Sequence, residues 1–215
     1  EKVSNIKLKV GSFKAFVVVD AIPKFSCAPK GLEELVSGCQ IRIGPTLDYL
    51  DDAWSKHIMG EMPDKPVIWG LIPTLRDPSL APKGYHFLSL NVWNVPYRLR
   101  KGDWETGKDV FGQRCIDTMA RYIPNLKDII VDKVFLSPLD MEKQYNLLEG
   151  DPHCGAMGPE QMFGNRLLPS ISKYNTEFTG LYLSGAGTWP GGFISGLSGH
   201  NAAKKVINDL TYRIQ

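Results

Sequence analysis

Between Gly180 and Ala203 the chain reads Gly-Leu-Tyr-Leu-Ser-Gly-Ala-Gly-Thr-Trp-Pro-Gly-Gly-Phe-Ile-Ser-Gly-Leu-Ser-Gly-His-Asn-Ala-Ala. Six glycines lie between Gly185 and Gly199. A glycine admits positive φ and lets another molecule approach the backbone with no Cβ in the way. The apolar triplet Leu181–Leu183 predicts a short strand, the glycines a turn, and the residues after Gly196 a helix running to the C-terminus. That order aims the unpaired N–H groups of a helix start toward whatever the loop holds. Three familiar glycine motifs do not fit. Gly185-Ala-Gly187-Thr-Trp-Pro190 begins like the dinucleotide fingerprint, but Pro190 takes the third glycine's place. No Lys-Ser/Thr pair follows the glycines, which excludes a P-loop. Gly196-Leu-Ser-Gly199 misses the nucleophile elbow by one residue.

Upstream, the residues predict an α+β chain: a mixed or antiparallel sheet covered by helices. Phe13–Asp20 is a β-branched run, and Gln40–Ile43, Pro66–Ile72 and Leu126–Leu136 are further strand candidates. His86–Val95 alternates, with Phe87, Ser89, Asn91 and Trp93 on one side and Leu88, Leu90 and Val92 on the other. Both faces carry apolar residues, as in a central strand whose polar members open toward a cavity. Ile6, Leu8 and Val10 alternate as a strand would. A short helix is expected over Gly31–Val36. Thr46 caps a second helix to about Met59, with Leu47, Leu50, Ala53, Trp54, His57 and Ile58 on one face. The clearest helix covers Thr106–Ile123, with Val110, Phe111, Cys115, Ile116, Met119, Ala120 and Ile123 as its stripe and Pro124 after it. In the final helix Ala202, Ala203, Val206, Ile207 and Leu210 form one apolar face, expected either to pack or to drive self-association, giving a homodimer.

Composition excludes several classes. A net charge of +2 with scattered lysines and arginines disfavours nucleic acid as a partner. The longest apolar runs, such as Ala15–Val19, fall far short of the roughly 20 residues that span a bilayer. Cys27, Cys39, Cys115 and Cys154 are far apart and form no C-x-x-C pair, which favours free thiols. His57, His86, His153 and His200 lack metal-ligand spacing, so no metal site is expected. His153 and Cys154 are adjacent, and neighbours in an extended segment point opposite ways, which argues against a catalytic pair.

Several blocks share one resemblance. Ile43-Gly-Pro-Thr-Leu-Asp-Tyr-Leu50, Asp77-Pro-Ser-Leu-Ala-Pro-Lys-Gly-Tyr-His86, Asn94-Val-Pro-Tyr97, Gly102-Asp-Trp104, Asp117–Asn125, Pro138-Leu-Asp140 and Leu181–Gly192 resemble, in order and approximate spacing, the phytoene dehydrogenase-like FAD oxidoreductases. The resemblance covers nearly the whole chain from about Phe13. Members of that family are roughly twice as long and open with a strand–G-x-G-x-x-G–helix unit, so the resemblance implies the C-terminal part of a longer flavoenzyme, inactive alone. It implies FAD as cofactor, an apolar small-molecule substrate, and the N-terminal FAD-binding portion of the same protein as partner. It divides the chain into a substrate-binding domain, residues 1–178, and an FAD-contacting strand, loop and helix, residues 179–215. Gly185, Ala186 and Gly187 would pass the ribityl and pyrophosphate; Thr188, Trp189, Pro190, Gly191 and Gly192 would lie near the isoalloxazine; and the helix from Gly196 would face its pyrimidine edge. Trp93, Gln161 and Arg166 are the expected substrate-lining residues. The catalytic residue stays unassigned, because the family commonly carries histidine where Trp189 stands, and a third glycine at Phe193. The implied chemistry is oxidation or desaturation with the flavin as hydride acceptor. Two alternatives remain: a non-catalytic ligand- or partner-binding domain, and an amine oxidase-like flavoenzyme. A cytoplasmic or membrane-peripheral location is expected.

Overall fold

The computed structural model describes residues 3–8, 11–166, 168–191 and 194–213. Two compact units make up the chain: residues 11–150, and residues 1–10 with 151–215. Packing therefore changes hands at Gly150/Asp151. The reason lies in unit-internal bonds, since Arg166 reaches Ala186 and Tyr174 reaches Trp189.

In the first unit five strands form one sheet: β1 (Gly11–Val19), β2 (Ile41–Ile43), β3 (Val67–Leu71), β4 (His86–Val95) and β5 (Ile130–Leu136), in the order β2-β3-β4-β1-β5. Every pairing is antiparallel. The two long strands sit together at the centre, with Ala15 opposite Leu90 and Val17 opposite Leu88. The period of two then sorts the side chains. Phe13, Ala15, Val17, Val19, Leu88, Leu90 and Val92 are fully buried on one face.

Helix α3 (Trp104–Ala120) shares the core of that face. Asp103 caps it, accepting from Thr106 N at 2.8 Å, so it starts two residues before Thr106. Phe111, Cys115, Ile116 and Met119 are buried as expected, but Val110 points outward. The Phe13 ring meets Phe111 edge-on at 5.0 Å and Trp104 at 5.9 Å, a geometry that aromatic quadrupoles favour.

Three elements depart from expectation. Helix α1 (Glu33–Ser37) and helix α2 (Leu47–Ile58) occur as predicted, with Thr46 Oγ1 accepting from Tyr49 N. However, of the α2 stripe only Ala53 is fully buried, while Leu47, Trp54 and Ile58 are exposed. The segment after Pro124 opens with a short helix, α4 (Leu126–Ile129), before β5 begins. Helix α5 (Pro138–Tyr145) was not foreseen, although Ser137 and Asp140 form a full capping box with Pro138 at the first turn.

The second unit contains less regular structure. Residues 6–8 form no strand. The Gln161 side chain takes the partner strand's place, accepting from Lys7 N at 2.8 Å and donating to Lys7 O at 3.1 Å, while Ala156 N also donates to Lys7 O. Val10 lies outside the described residues. The Leu181–Leu183 triplet makes a single bridge, Asn175 with Tyr182, rather than a ladder. Helix α6 (Leu197–Arg213) closes the chain. Its apolar stripe is mostly uncovered, with Ala202 buried but Ile207 and Leu210 exposed.

Candidate functional site

The glycine loop is fixed by its carbonyls. Thr188 donates from both its N–H and its Oγ1 to Gly185 O, each at 3.0 Å. Arg166 Nη2 donates to Ala186 O at 3.1 Å. Ser198 Oγ, in the first turn of α6, donates to Thr188 O and Trp189 O. Tyr174 donates its hydroxyl proton to Trp189 O at 2.7 Å and receives one from Asn201 Nδ2 at 2.9 Å. The carbonyls of Gly185, Ala186, Thr188 and Trp189 are thereby taken by protein donors. Among the described residues, the backbone N–H groups of Ala186, Gly187 and Trp189 find no protein acceptor. A loop with spent carbonyls and unspent N–H groups suits an electron-rich ligand.

Two glycines in the loop differ in what they require. Gly185 has φ +89° and open space where a Cβ would stand. At Gly191, φ is +74°, and a Cβ would press on Arg166 Nε at 2.9 Å and on the carbonyls of Ala186 and Thr188 at 3.1 Å. The loop thus turns tightly over the buried guanidinium, and only glycine permits it. Gly196, at φ +75°, leads into α6 with nothing near it. Pro190 follows Trp189 through a cis bond. The Trp189 ring lies 4.7 Å from Phe163, tilted by 34°. Gly192 and Phe193 lie outside the described residues.

Arg166 is fully buried. Nη1 donates to Gly155 O at 3.1 Å and Ala156 O at 2.9 Å, and Nη2 donates to His153 O at 2.8 Å as well as Ala186 O. Burial pulls its pKa below the ordinary guanidinium value, and nearby Asp151 pushes it back. Asp151, also buried, accepts from the N–H groups of His153 and Gly155. Gln161 spends its amide on Lys7 and on Ala156 O. Both residues therefore hold the loop 151–166 together. Buried donors take backbone acceptors wherever these are available, and these two are bonded in that way. Cys154 is exposed with its thiol pKa pushed up by burial and by Asp151, opposite to what a nucleophile needs.

In the first unit the other sheet face is half-buried and mixed. Trp93 and Trp69 meet edge-on at 5.3 Å, and the Arg42 guanidinium lies 4.1 Å over Trp69. Ser89 and Asn91 open onto this face between Phe87 and Trp93, as the alternation predicted. Lys14, from β1, donates to Ser89 Oγ at 2.7 Å and Asn91 Oδ1 at 2.9 Å. The sequence did not single out Lys14. Its signal was a lysine placed in step with Phe16 and Val18 inside an otherwise apolar strand.

Among the described residues no cluster of three His, Cys, Asp or Glu could hold a metal ion. No helix among them is long and apolar enough to cross a membrane. The four cysteines are separate thiols.

No family model matches the chain. It is 33% identical over 216 positions, 98% of its length, to the mouse pyridine nucleotide-disulfide oxidoreductase domain-containing protein 2. It is 33% identical over 56% of its length to a limonene dehydrogenase component of Castellaniella defragrans, and 31% identical over 66% to a 4,4'-diapophytoene desaturase of Staphylococcus haemolyticus. The chain belongs to the phytoene dehydrogenase-related oxidoreductases. It spans 37% of the mouse protein's length, and 22% and 28% of the other two. The α+β fold agrees with that membership.

Proposed function

We propose that this chain supplies the substrate-holding unit and the C-terminal flavin loop of an FAD-dependent dehydrogenase or desaturase acting on a largely apolar substrate. The observation that carries the reading is the loop Gly185–Gly191, with its carbonyls clamped and the N–H groups of Ala186, Gly187 and Trp189 unspent. The residues present fit the cofactor. Open space lies over Gly185 and Gly196, and the Arg166 Nε–H is a buried donor without an acceptor beside Gly191. Gly185, Ala186, Gly187, Thr188, Trp189, Pro190 and Gly191 would hold it, with Gly192 and Gly196 flanking.

When bound, a flavin supplies a two-electron acceptor for a hydride from a C–H bond. The chain's own part is positional. Arg166, Ser198 and Tyr174 keep the loop carbonyls turned away from the ligand side. The unspent N–H groups offer hydrogen bonds where negative charge would develop, at no cost in reorganisation. The start of α6 adds the positive end of its helix dipole. Trp189 offers an aromatic wall and cannot move a proton as a histidine could. In the first unit Phe16, Phe87, Trp93 and Trp69 give an apolar face suited to the hydrocarbon portion of a substrate, in keeping with the limonene dehydrogenase and desaturase names of two relatives.

The test is a flavin titration of the purified chain, with and without the co-expressed FAD-binding portion that the relatives' greater length leaves room for. A bound-flavin visible spectrum, appearing or sharpening with that portion, is the expected result. A folded chain that binds no flavin in either condition would overturn the proposal in favour of a non-catalytic binding domain.

A further inference from the structure

The half-buried sheet face holds a charge that the flavin reading does not use. Lys14 lies mid-strand in β1, and its Nζ sits 4.8 Å from the Phe16 ring centroid. Both of its hydrogen-bond partners, Ser89 and Asn91, are neutral. An ammonium has three donors, so one N–H remains after these two bonds. Among the described residues no carboxylate pairs with it, and burial alone sets its pKa down at about 8. A lysine kept for structure is ordinarily given a carboxylate or lets its head reach water. This one is half-buried, steered by two neutral acceptors and, among the described residues, left without a counter-ion.

The Phe16 ring beneath it also walls a cavity of about 480 Å³, lined in addition by Val18, Leu80, Pro82, Phe87 and His86, among others. That volume suits a small organic ligand, whose sites run from roughly 300 to 1,000 Å³. The wall is almost wholly apolar, and the nearby His86 Nδ1 is within 3.1 Å of Thr74 Oγ1. Phe16 belongs to both features, since its ring walls the cavity and also carries the Lys14 ammonium. Phe87, 6.3 Å from Phe16, lies on β4 two residues before Ser89.

We propose that this face binds an amphiphilic carboxylic acid, its hydrocarbon tail in the cavity walled by Phe16 and Phe87 and its carboxylate on Lys14. Ser89 and Asn91 hold the ammonium so that its third N–H meets the carboxylate. A fully neutral hydrocarbon would cover Lys14 without pairing it and would pay for an uncompensated charge, whereas an acid fills the space and neutralises the lysine at once. The proposal rests on the reading of residues 11–150 as the substrate-holding unit and names the class of molecule held.

The experiment is calorimetric titration of the chain with dodecanoate and with 1-dodecanol at pH 7, on the wild type and on Lys14→Met and Lys14→Arg. The wild type should favour the acid by about tenfold or more, as a charge-assisted hydrogen bond allows. Lys14→Met should erase that preference, and Lys14→Arg should retain most of it. Equal affinity for both ligands in the wild type, a preference that survives Lys14→Met, or binding of neither would each overturn the proposal. Should Lys14→Met fail to fold, the wild-type comparison and Lys14→Arg still decide it. Flavin titration of the same preparation is read separately. Flavin binding without an acid preference removes this site alone, and an acid preference without flavin binding removes the redox reading alone.

Discussion

Replacing Arg166 by methionine should destabilise the unit containing the glycine loop and weaken flavin binding together. The guanidinium makes four hydrogen bonds, to the carbonyls of His153, Gly155, Ala156 and Ala186. Bonds from a charged donor contribute about 1.5–3 kcal/mol each, giving a gross value of about 6–12 kcal/mol. Against this, the variant no longer buries a guanidinium, a cost of several kcal/mol. It does leave the carbonyls of His153, Gly155 and Ala186 without donors, Ala156 O keeping Gln161 Nε2, and the buried Asp151 without its nearby cation. The net loss should be about 3–5 kcal/mol, as for breaking one side of a buried charged network. Arg166→Lys should fall between, because a single ammonium has three donors and lacks the planar fork that spans both strands of the loop. Urea unfolding measures the loss, and hydrogen exchange over residues 185–191 reports whether the loop has loosened. A variant within about 1 kcal/mol of wild type, with unchanged exchange at Ala186 and Gly187, would refute the assignment of Arg166 as the clamp, since even one neutral bond is expected to contribute that much.

Four other outcomes follow from particular contacts. Gly191→Ala should cost at least about 1–2 kcal/mol from its left-handed backbone alone, plus displacement of Arg166, and should weaken flavin binding more than Gly185→Ala, where the space is open; paired flavin titrations compare the two. Phe13→Ala removes the ring shared by Trp104, Phe111 and Phe135 and should cost about 3–5 kcal/mol, lowering the melting temperature by roughly 2–4 °C per kcal/mol for a chain of this size. Lys14 has a folded pKa of about 8, below the ordinary lysine value of 10.5, so the unfolded chain binds more protons between those values and stability rises with pH there; the stability advantage of Lys14→Met, largest below pH 8, should shrink toward pH 10.5 in urea melts, and an advantage constant with pH would contradict the burial. The exposed Ile207 and Leu210 on α6 should promote self-association, so sedimentation of the double variant Ile207→Glu, Leu210→Glu should show a larger monomer fraction than the wild type.

Features that depend on near neighbours in sequence were legible. The bounds His86–Val95 matched β4 and the alternation held as far as Trp93, before an irregularity at Asn94 turns Val95 inward, and Thr46 capped α2 as its spacing implied. Misreadings came where a partner lies far along the chain. Ile6 and Leu8 look like strand residues, yet Lys7 is bonded by the Gln161 side chain, 154 positions away. Leu181–Leu183 has strand composition, but its backbone bonds across to Tyr174 and Thr176 give a single bridge among the described residues. Polar residues were the hardest to place. Residue type alone gives no sign that Gln161 and Arg166 are buried among backbone carbonyls.

The sequence alone determined the glycine spacing of residues 185–199, the pleat of β4, the stripe of α3 and the order of blocks that carries the family membership. Each of these is written within a few turns or strand residues of itself. Tertiary structure decided where the buried charges went. Arg166 closes on the loop carbonyls because four acceptors converge on it. Lys14 stands without a counter-ion because strand register places it opposite Asn91 and next to Ser89, and no carboxylate among the described residues reaches it. A side chain's type fixes what it can bond, whereas the energy of burying a charge depends on every group around it, and those groups are assembled only by folding.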